Sequence, residues 1–519
     1  MAKAKTPKKD FETTIAEAYK AQGATLELGK GVLDGTVAQT AVVQVPLRMM
    51  TRHGLIAGAT GTGKTKGLQA MAEQLSDAGV PVFGADMKGD LSGLSMPGDP
   101  TGIAADRWKD LGEAFSPAPY PVEFLALGGI GPGIPVRATV SDFGPLLLGK
   151  VLQANETQEQ SLSLLFRYSD QKGLPLLDLS DLRSLLTFLA SEDGKAELTG
   201  IGGVASSTIG VLLRQLVQLE DGGGNEFFGE PQLDIADLMR TAADGRGIIS
   251  CLELPAVQDK PMLFSTALMW LLAELFEELP EIGDQGKPKL VFFFDEAHLL
   301  FDGATKSFLE SIVQTVRLIR SKGVGVFFCT QQPKDVPTDV LAQLGNRVQY
   351  ALRAFTPDDA KALKATVSTF PRSDFYDLEE LLTQLAIGEA VVTILSESGV
   401  PTPVVHTRIR APRSKMAAAD SVDAASKASL LYAKYGTRVD AQSAREMLAA
   451  RIAQPQPAAA AAPAAPAPAP VPTEQHKKAA KAAGGGAGAV GDFLRSTTGR
   501  QVEREVVRGL FGLLSKSLK

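Results

Sequence analysis

Eight residues, Gly58-Ala59-Thr60-Gly61-Thr62-Gly63-Lys64-Thr65, have the types and spacing of a phosphate-binding loop. The glycines let the backbone turn so that successive N–H groups converge on phosphate oxygens. Lys64 would reach the β- and γ-phosphates of a nucleotide, and the Thr65 hydroxyl would ligate Mg²⁺. The loop follows an apolar run, His53–Gly58, and opens a helical pattern, Lys64–Asp77. That order sets a helix N-terminus, where the dipole favours an anion, against the phosphates.

A second group supplies acids. Leu290-Val291-Phe292-Phe293-Phe294 runs straight into Asp295-Glu296. As a buried strand, this run delivers two carboxylates to the C-terminal edge of a sheet, beside the loop. Asp295 would then join the Mg²⁺ shell, and Glu296 would orient and deprotonate a water attacking the γ-phosphate. An acidic pair favours hydrolysis over transfer, because a transferase excludes water. The plainer alternative is a helix N-terminus enriched in acids.

A third apolar run, Val324–Thr330, ends in Thr330-Gln331-Gln332-Pro333. The Gln331 amide could hydrogen-bond both the γ-phosphate and the attacking water, and so report which nucleotide is bound. Asp86-Met87-Lys88-Gly89-Asp90 reads equally as a contact to nucleotide or subunit and as a polar turn. The expected nucleotide is ATP, since no Asn-Lys-x-Asp run is present to read guanine.

These groups need strands to hold them. His53–Gly58, Val80–Asp86, Gly247–Leu252, Leu290–Asp295 and Val324–Thr330 are short, apolar and bounded by glycine, proline or charge. Such runs suit strands buried on both faces of a parallel sheet. Helical patterns at Lys64–Asp77, Pro261–Leu279 and Phe308–Lys322 alternate with them, which argues for an α/β fold with a central, mostly parallel sheet. Successive helical patterns over about 142–220 read as a helical insertion. The expected organisation is a basic N-terminal segment (1–24), an ATPase domain (25–415), a helical extension (416–452), an Ala/Pro/Gly-rich linker (453–490) and an amphipathic helix (491–519). The terminal helix would pack on its own body or a neighbouring subunit, with a membrane surface as the other option.

Composition narrows the class. Of 519 residues, 44% are hydrophobic and 22% charged, enough for a full core without disulfides. The two cysteines, Cys251 and Cys329, sit inside apolar runs, which excludes a disulfide scaffold or a cysteine-ligated zinc site. The opening residues lack an apolar signal-peptide core, and no stretch reads as a transmembrane span, so a cytoplasmic protein is expected. The formal charge is −6. Residues 1–10 carry +3 and residues 477–519 carry +6, leaving −15 on the remainder. So acidic a body is a poor general phosphate binder, which would confine DNA contact to a pore, a groove or the basic ends, and the excess acid reads equally as a device for solubility.

GATGTGKT, FFFDEAH, and IRSKGVGVFFCTQQP followed by QLGNRVQYALRAFTPDDAKAL together resemble the HerA/FtsK superfamily of ring-forming P-loop ATPases. Within it, the chain is similar to the bacterial HerA-like group typified by YjgR. The resemblance implies a RecA-like P-loop fold, a homo-oligomeric ring (a hexamer), and translocation of duplex DNA or helicase action. It implies that Gln331 matches a family strand-end glutamine, although Gln332 stands where the family has arginine. Arg320, Arg347 and Arg353 fall where such ATPases place arginines that act on nucleotide, often from a neighbouring subunit. A fixed guanidinium there would neutralise charge on the γ-phosphate in the transition state. Asp295-Glu296-Ala297-His298 spells the DEAH box, but the tandem domains and further motifs of that helicase class are absent, leaving His298 a packing or supporting residue. Fewer residues precede the phosphate loop than the β-barrel of HerA proteins needs, which argues against a nuclease partner. An ATPase that moves or remodels protein, or a nucleotide-gated scaffold, are the competing readings.

Overall fold

The structure, a computed structural model, describes residues 8–199, 202–283, 285–301 and 306–453. The first residues of the basic segment, the linker beyond Ala453 and the amphipathic helix at 491–519 lie outside the described residues.

Twelve strands form one sheet: β1 Thr25–Leu33, β2 Thr36–Pro46, β3 Gly54–Ala57, β4 Val82–Asp86, β5 Val122–Leu127, β6 Ile134–Val136, β7 Ile249–Glu253, β8 Leu290–Phe294, β9 Val324–Thr330, β10 Asn346–Tyr350, β11 Glu389–Thr393 and β12 Val405–Ile409. Their spatial order is β2-β1-β12-β11-β10-β3-β9-β8-β4-β7-β5-β6. From β10 to β6 every neighbouring pair is parallel, while β11, β12, β1 and β2 add an antiparallel edge. All five apolar runs found in the sequence are strands of the parallel block.

The parallel strands are apolar because both of their faces are covered. Every residue of β8 and β9 is buried. The triple phenylalanine of β8 shows how alternation uses that burial. Phe292 packs on Phe83 with ring centroids 4.9 Å apart, and Phe294 on Phe328 at 5.7 Å. Phe293, pointing to the opposite face, packs on Phe327 at 5.4 Å.

Between β6 and β7 the chain leaves the sheet for helices at Val140–Val151, Glu156–Lys172, Leu179–Ala190, Glu192–Thr199 and Ser206–Leu219. Two of them start with reciprocal caps, Asn155 with Gln158 and Asp178 with Asp181, which satisfy amide groups that a helix start leaves open. Three further helices, Val422–Ala428, Leu430–Tyr435 and Ala444–Ala453, follow β12.

The antiparallel edge was not read from the sequence, and neither was the helix Lys8–Ala18 within the basic N-terminal segment. Phe11 and Ile15 are wholly buried. Phe11 meets Phe375 edge-on at 5.1 Å and lies against Gly31 of β1, where a Cβ would stand 3.2 Å from the ring. Phe11→Ala should therefore cost about 3–5 kcal/mol of stability in urea denaturation. A loss below about 1 kcal/mol would show that the helix is not part of this core.

Candidate functional site

The phosphate loop spans the gap between β3 and the helix Lys64–Asp77, as its sequence required. Gly58 has φ 152° and a Cβ there would lie 2.5 Å from the Tyr350 Cβ, so only glycine fits against β10. Gly61 and Gly63 have φ of 79° and 104°. The Ala59 amide donates to Ala351 at 2.8 Å, and the Thr62 carbonyl accepts from the Gly388 amide at 2.8 Å. Among the described residues, the amides of Thr60, Gly61 and Gly63 donate to no backbone carbonyl. They are available to an anion, together with the unpaired amides that open any helix. Lys64 is buried, and its ammonium rests on the Ala59 carbonyl at 3.2 Å.

The loop is braced from below. Arg107 donates to the carbonyls of Gly388 at 2.6 Å and Ile387 at 2.9 Å. Glu389 accepts from the Ala386 amide at 3.1 Å and is itself held by His406 at 3.0 Å and Arg408 at 2.7 Å. Burial raises the Glu389 pKa, but these bonds outweigh it and hold the carboxyl at about 2.

Asp295 and Glu296 leave the end of β8, but not next to the loop strand, for β9 lies between β3 and β8. Three strand ends therefore share the site, and β9 brings Gln331 to the middle of it. Asp295 is 3% exposed, and its Oδ1 accepts from the Glu296 amide at 2.9 Å. Its Oδ2 is buried and, among the described residues, accepts from no N–H or O–H group. Burial raises the Asp295 pKa above its ordinary value, with Glu296 adding to it and the neighbouring Cys329 thiol opposing it. A carboxylate oxygen in that position is stabilised by a cation. Asp295 and the Thr65 hydroxyl are both hard-oxygen donors, and Mg²⁺ typically takes few protein ligands, leaving the rest to phosphate and water. These residues fit that ion.

Glu296 adopts φ 50°, a left-handed conformation that costs a non-glycine residue about 1–2 kcal/mol and that collects at functional sites. Its Oε1 is paired with the Lys88 ammonium, and its Oε2 faces His298 Nδ1 at 3.3 Å. Burial raises the Glu296 pKa, but Lys88, and after it His298 and Lys64, pull it below the ordinary value. His298 is thus a neighbour of Glu296 and lines an open cleft with Gln331, Lys334 and Asp335. Gln331 is exposed there, while Asp335 braces its strand end by accepting from Thr330 Oγ1 at 2.9 Å and the Gln332 amide at 2.8 Å.

The three arginines do not converge. Arg353 is exposed just beyond β10, at the same sheet edge as the loop. Arg347 lies at the other end of β10, opposite Leu55, and donates to Thr369 Oγ1 at 2.7 Å. Arg320 precedes β9, whose seven residues separate it from Gln331 by about 20 Å. Neither Arg320 nor Arg347 reaches the site of its own chain.

Of two further acids at this edge, Asp86 was singled out in the sequence with its turn, and Glu253 was not. Asp86 ends β4 and its carboxylate accepts from the amides of Lys88 at 3.1 Å, Gly89 at 2.8 Å and Leu91 at 2.6 Å. Burial pushes its pKa up to about 6 despite those bonds. Glu253 ends β7 directly opposite Asp86, and its Oε1 is buried without a partner. Burial, and then the charge of Asp86, pushes it up to about 8. Both terminate apolar runs, the signal that located Asp295.

The helicase HerA-like C-terminal family model matches residues 33–519. The chain belongs to that family. This HerA-like chain shares its fold with the bacterial conjugative coupling protein TrwBdeltaN70 in an unbound form, at 14% identity and TM-score 0.50 over 78% of this chain and 94% of that one. TrwB in complex with the non-hydrolysable ATP analogue ADPNP matches at 15% identity and TM-score 0.50, over 78% and 94% of the two chains. VirB4 of Thermoanaerobacter pseudethanolicus matches at 15% identity and TM-score 0.48, over 75% and 97%. No curated protein matches the chain. The HerA-like chain therefore has the α/β P-loop NTPase fold of the HerA/FtsK superfamily. Among its described residues, no helix is long and apolar enough to cross a membrane.

The Glu253 carboxyl provides a test of the acidic edge. Its folded-state pKa lies above the ordinary 4.5, so the folded chain holds that proton more tightly than the unfolded one. Stability is then lost as pH rises from about 4.5 towards 8. Glu253→Gln, which cannot ionise, should raise Tm at pH 8.5 by several degrees and change it little at pH 5. Thermal melts at the two pH values check this, and equal shifts at both would refute the ionisation argument.

Proposed function

We propose that the chain is an ATP-hydrolysing motor that assembles as a homo-oligomeric ring, a hexamer, and translocates duplex DNA. The observation that carries the hydrolase reading is the convergence, at one sheet edge, of a phosphate loop with free amides, the buried Asp295 oxygen and the Glu296 carboxylate. The solved complex of TrwB with an ATP analogue, on the same fold, supports a nucleoside triphosphate as the ligand, and ATP is preferred because the sequence holds no Asn-Lys-x-Asp run to read guanine.

ATP binds with its phosphates on the amides of Gly58–Thr65 and the Lys64 ammonium. Asp295 and Thr65 hold Mg²⁺, which when bound supplies neutralising charge to the phosphate oxygens. Glu296 takes a proton from a water whose oxygen forms a bond to the γ-phosphorus. The bond from that phosphorus to the bridging oxygen breaks, and the electron pair leaves with ADP. Gln331, at the tip of β9, aligns the water and the γ-phosphate. Arg353, or Arg320 and Arg347 presented by a neighbouring subunit, neutralises the charge that develops. The distance of Arg320 and Arg347 from their own chain's site supports that contribution across a subunit boundary.

Duplex DNA as the cargo rests on family membership. The −15 charge carried outside the two basic ends favours a second reading, an ATPase that moves or remodels protein. Steady-state ATPase assays across a salt series separate them. Stimulation by duplex DNA that fades as salt rises is expected for the DNA motor. Turnover indifferent to DNA would transfer the cargo to protein. In the same assay Lys64→Ala should abolish nucleotide binding. Glu296→Gln should keep ATP bound and lower kcat by a factor of about 100 or more. Wild-type turnover in either variant would overturn the site assignment.

A further inference from the structure

The contact between Lys88 and Glu296 has no part in the reaction as described above. It joins the turn after β4 to the end of β8, two neighbouring strands whose last paired residues are Ala85 and Phe294. The turn is fixed. Asp86 accepts three amide hydrogen bonds from Lys88, Gly89 and Leu91, and Gly89 takes φ 79° to let the chain bend around the carboxylate. The side chain is not fixed in the same way, for Lys88 is 46% exposed while Glu296 is 7% exposed. An anchored backbone and a half-exposed ammonium make Lys88 a short tether whose tip can change partner.

The surroundings of Glu296 define what that partner is. Its carboxylate lies within the field of three basic groups, Lys88, His298 and the phosphate-loop Lys64. Lys88 follows β4 and contacts the residue that follows β8, so its tip lies at the same sheet edge as the phosphate loop after β3. Without nucleotide, Glu296 is the strongest anion available to it. A γ-phosphate carries more charge and more acceptor oxygens than one carboxylate.

We propose that Lys88 is a positioning residue that exchanges Glu296 for the γ-phosphate of bound ATP. In the empty site it holds the Glu296 carboxylate as an ion pair, which leaves that oxygen unable to accept a proton from water. With ATP bound, the ammonium moves to the γ-phosphate and Glu296 is released to the attacking water. ADP lacks the group that draws Lys88 away, so the pair persists. The inference rests on the ATPase reading and deepens it by naming the residue that distinguishes the two nucleotides.

The test is a double-mutant cycle read by equilibrium binding of ADP and of a non-hydrolysable ATP analogue to the full chain with Mg²⁺. Lys88→Met should leave ADP affinity within about twofold of wild type and weaken the analogue about tenfold or more, the scale of one charge-assisted hydrogen bond. Lys88→Arg should recover most of that loss. Glu296→Gln, which frees Lys88, should tighten the analogue several-fold without changing ADP. In the Lys88→Met background, Glu296→Gln should change neither ligand. An equal gain in both backgrounds would mean that Glu296 merely repels the phosphate, and would overturn the exchange. Parallel losses for both nucleotides in Lys88→Met would also overturn it, by assigning Lys88 to the fold alone. If wild type binds neither nucleotide, the ATPase reading itself falls, which is a different result from wild-type binding that Lys88→Met does not alter.

Discussion

In a parallel sheet covered on both faces, an ionised side chain can meet water or a ligand only at the ends of strands. The burial of every residue of β8 and β9 makes that constraint severe, because a charge placed within either strand would be left without solvent or partner. The chemistry of this chain is accordingly gathered at one edge. β3 ends in the phosphate loop, β9 in Gln331, β8 in Asp295 and Glu296, β4 in Asp86 and β7 in Glu253. Strand order then decides which groups can cooperate, and the insertion of β9 between β3 and β8 makes the glutamine central.

That edge is held at a cost. Among the described residues of this edge, three carboxylate oxygens, on Asp295, Glu296 and Glu253, are buried and accept from no N–H or O–H group, and Glu296 sits at positive φ. The compensation comes from the sheet and the turns behind it. Phenylalanine pairs across β4, β8 and β9 stabilise the strands whose ends carry the acids. The antiparallel edge serves the phosphate loop in the same way, because the turn entering β11 meets Thr62 and is pinned by Arg107. A site that must stay open to a polyanion cannot fill itself with its own side chains, so its rigidity is supplied by neighbours.

Charge balance within the edge is local. Lys64, Lys66 and Lys88 face Asp86, Asp90, Asp295 and Glu296 within one small region. Burial raises Asp295 and lowers Lys66, while Glu296, the acid with a direct ammonium partner, stays below the ordinary carboxylate value. Neighbouring acids on one strand end are thus pushed in opposite directions by their different surroundings.

By itself, the sequence determined the short-range features. The glycine pattern of 58–65 specifies its own backbone, and apolar runs ending in Asp-Glu or Thr-Gln specify strands with polar tips, because burial on two faces admits little else. The alternation of apolar runs with helical patterns gave the parallel block, successive helical patterns gave the insertion, and the resemblance to HerA-like proteins extended the reading to the superfamily. Only the tertiary structure decided which ends meet. The pairing of Lys88 with Glu296 spans 208 positions of the chain, and that of Asp86 with Glu253 depends on β4 lying beside β7. Arg320 and Arg347 lie near Gln331 and Arg353 in sequence but far from the site in space, since a strand carries its two ends apart. The helix Lys8–Ala18 and the antiparallel edge were illegible for the related reason that their burial is set by each other, through contacts such as Phe11 with Gly31 and Phe375. Spacing along a chain encodes what one element must be; distances between elements exist only once the strands have been ordered.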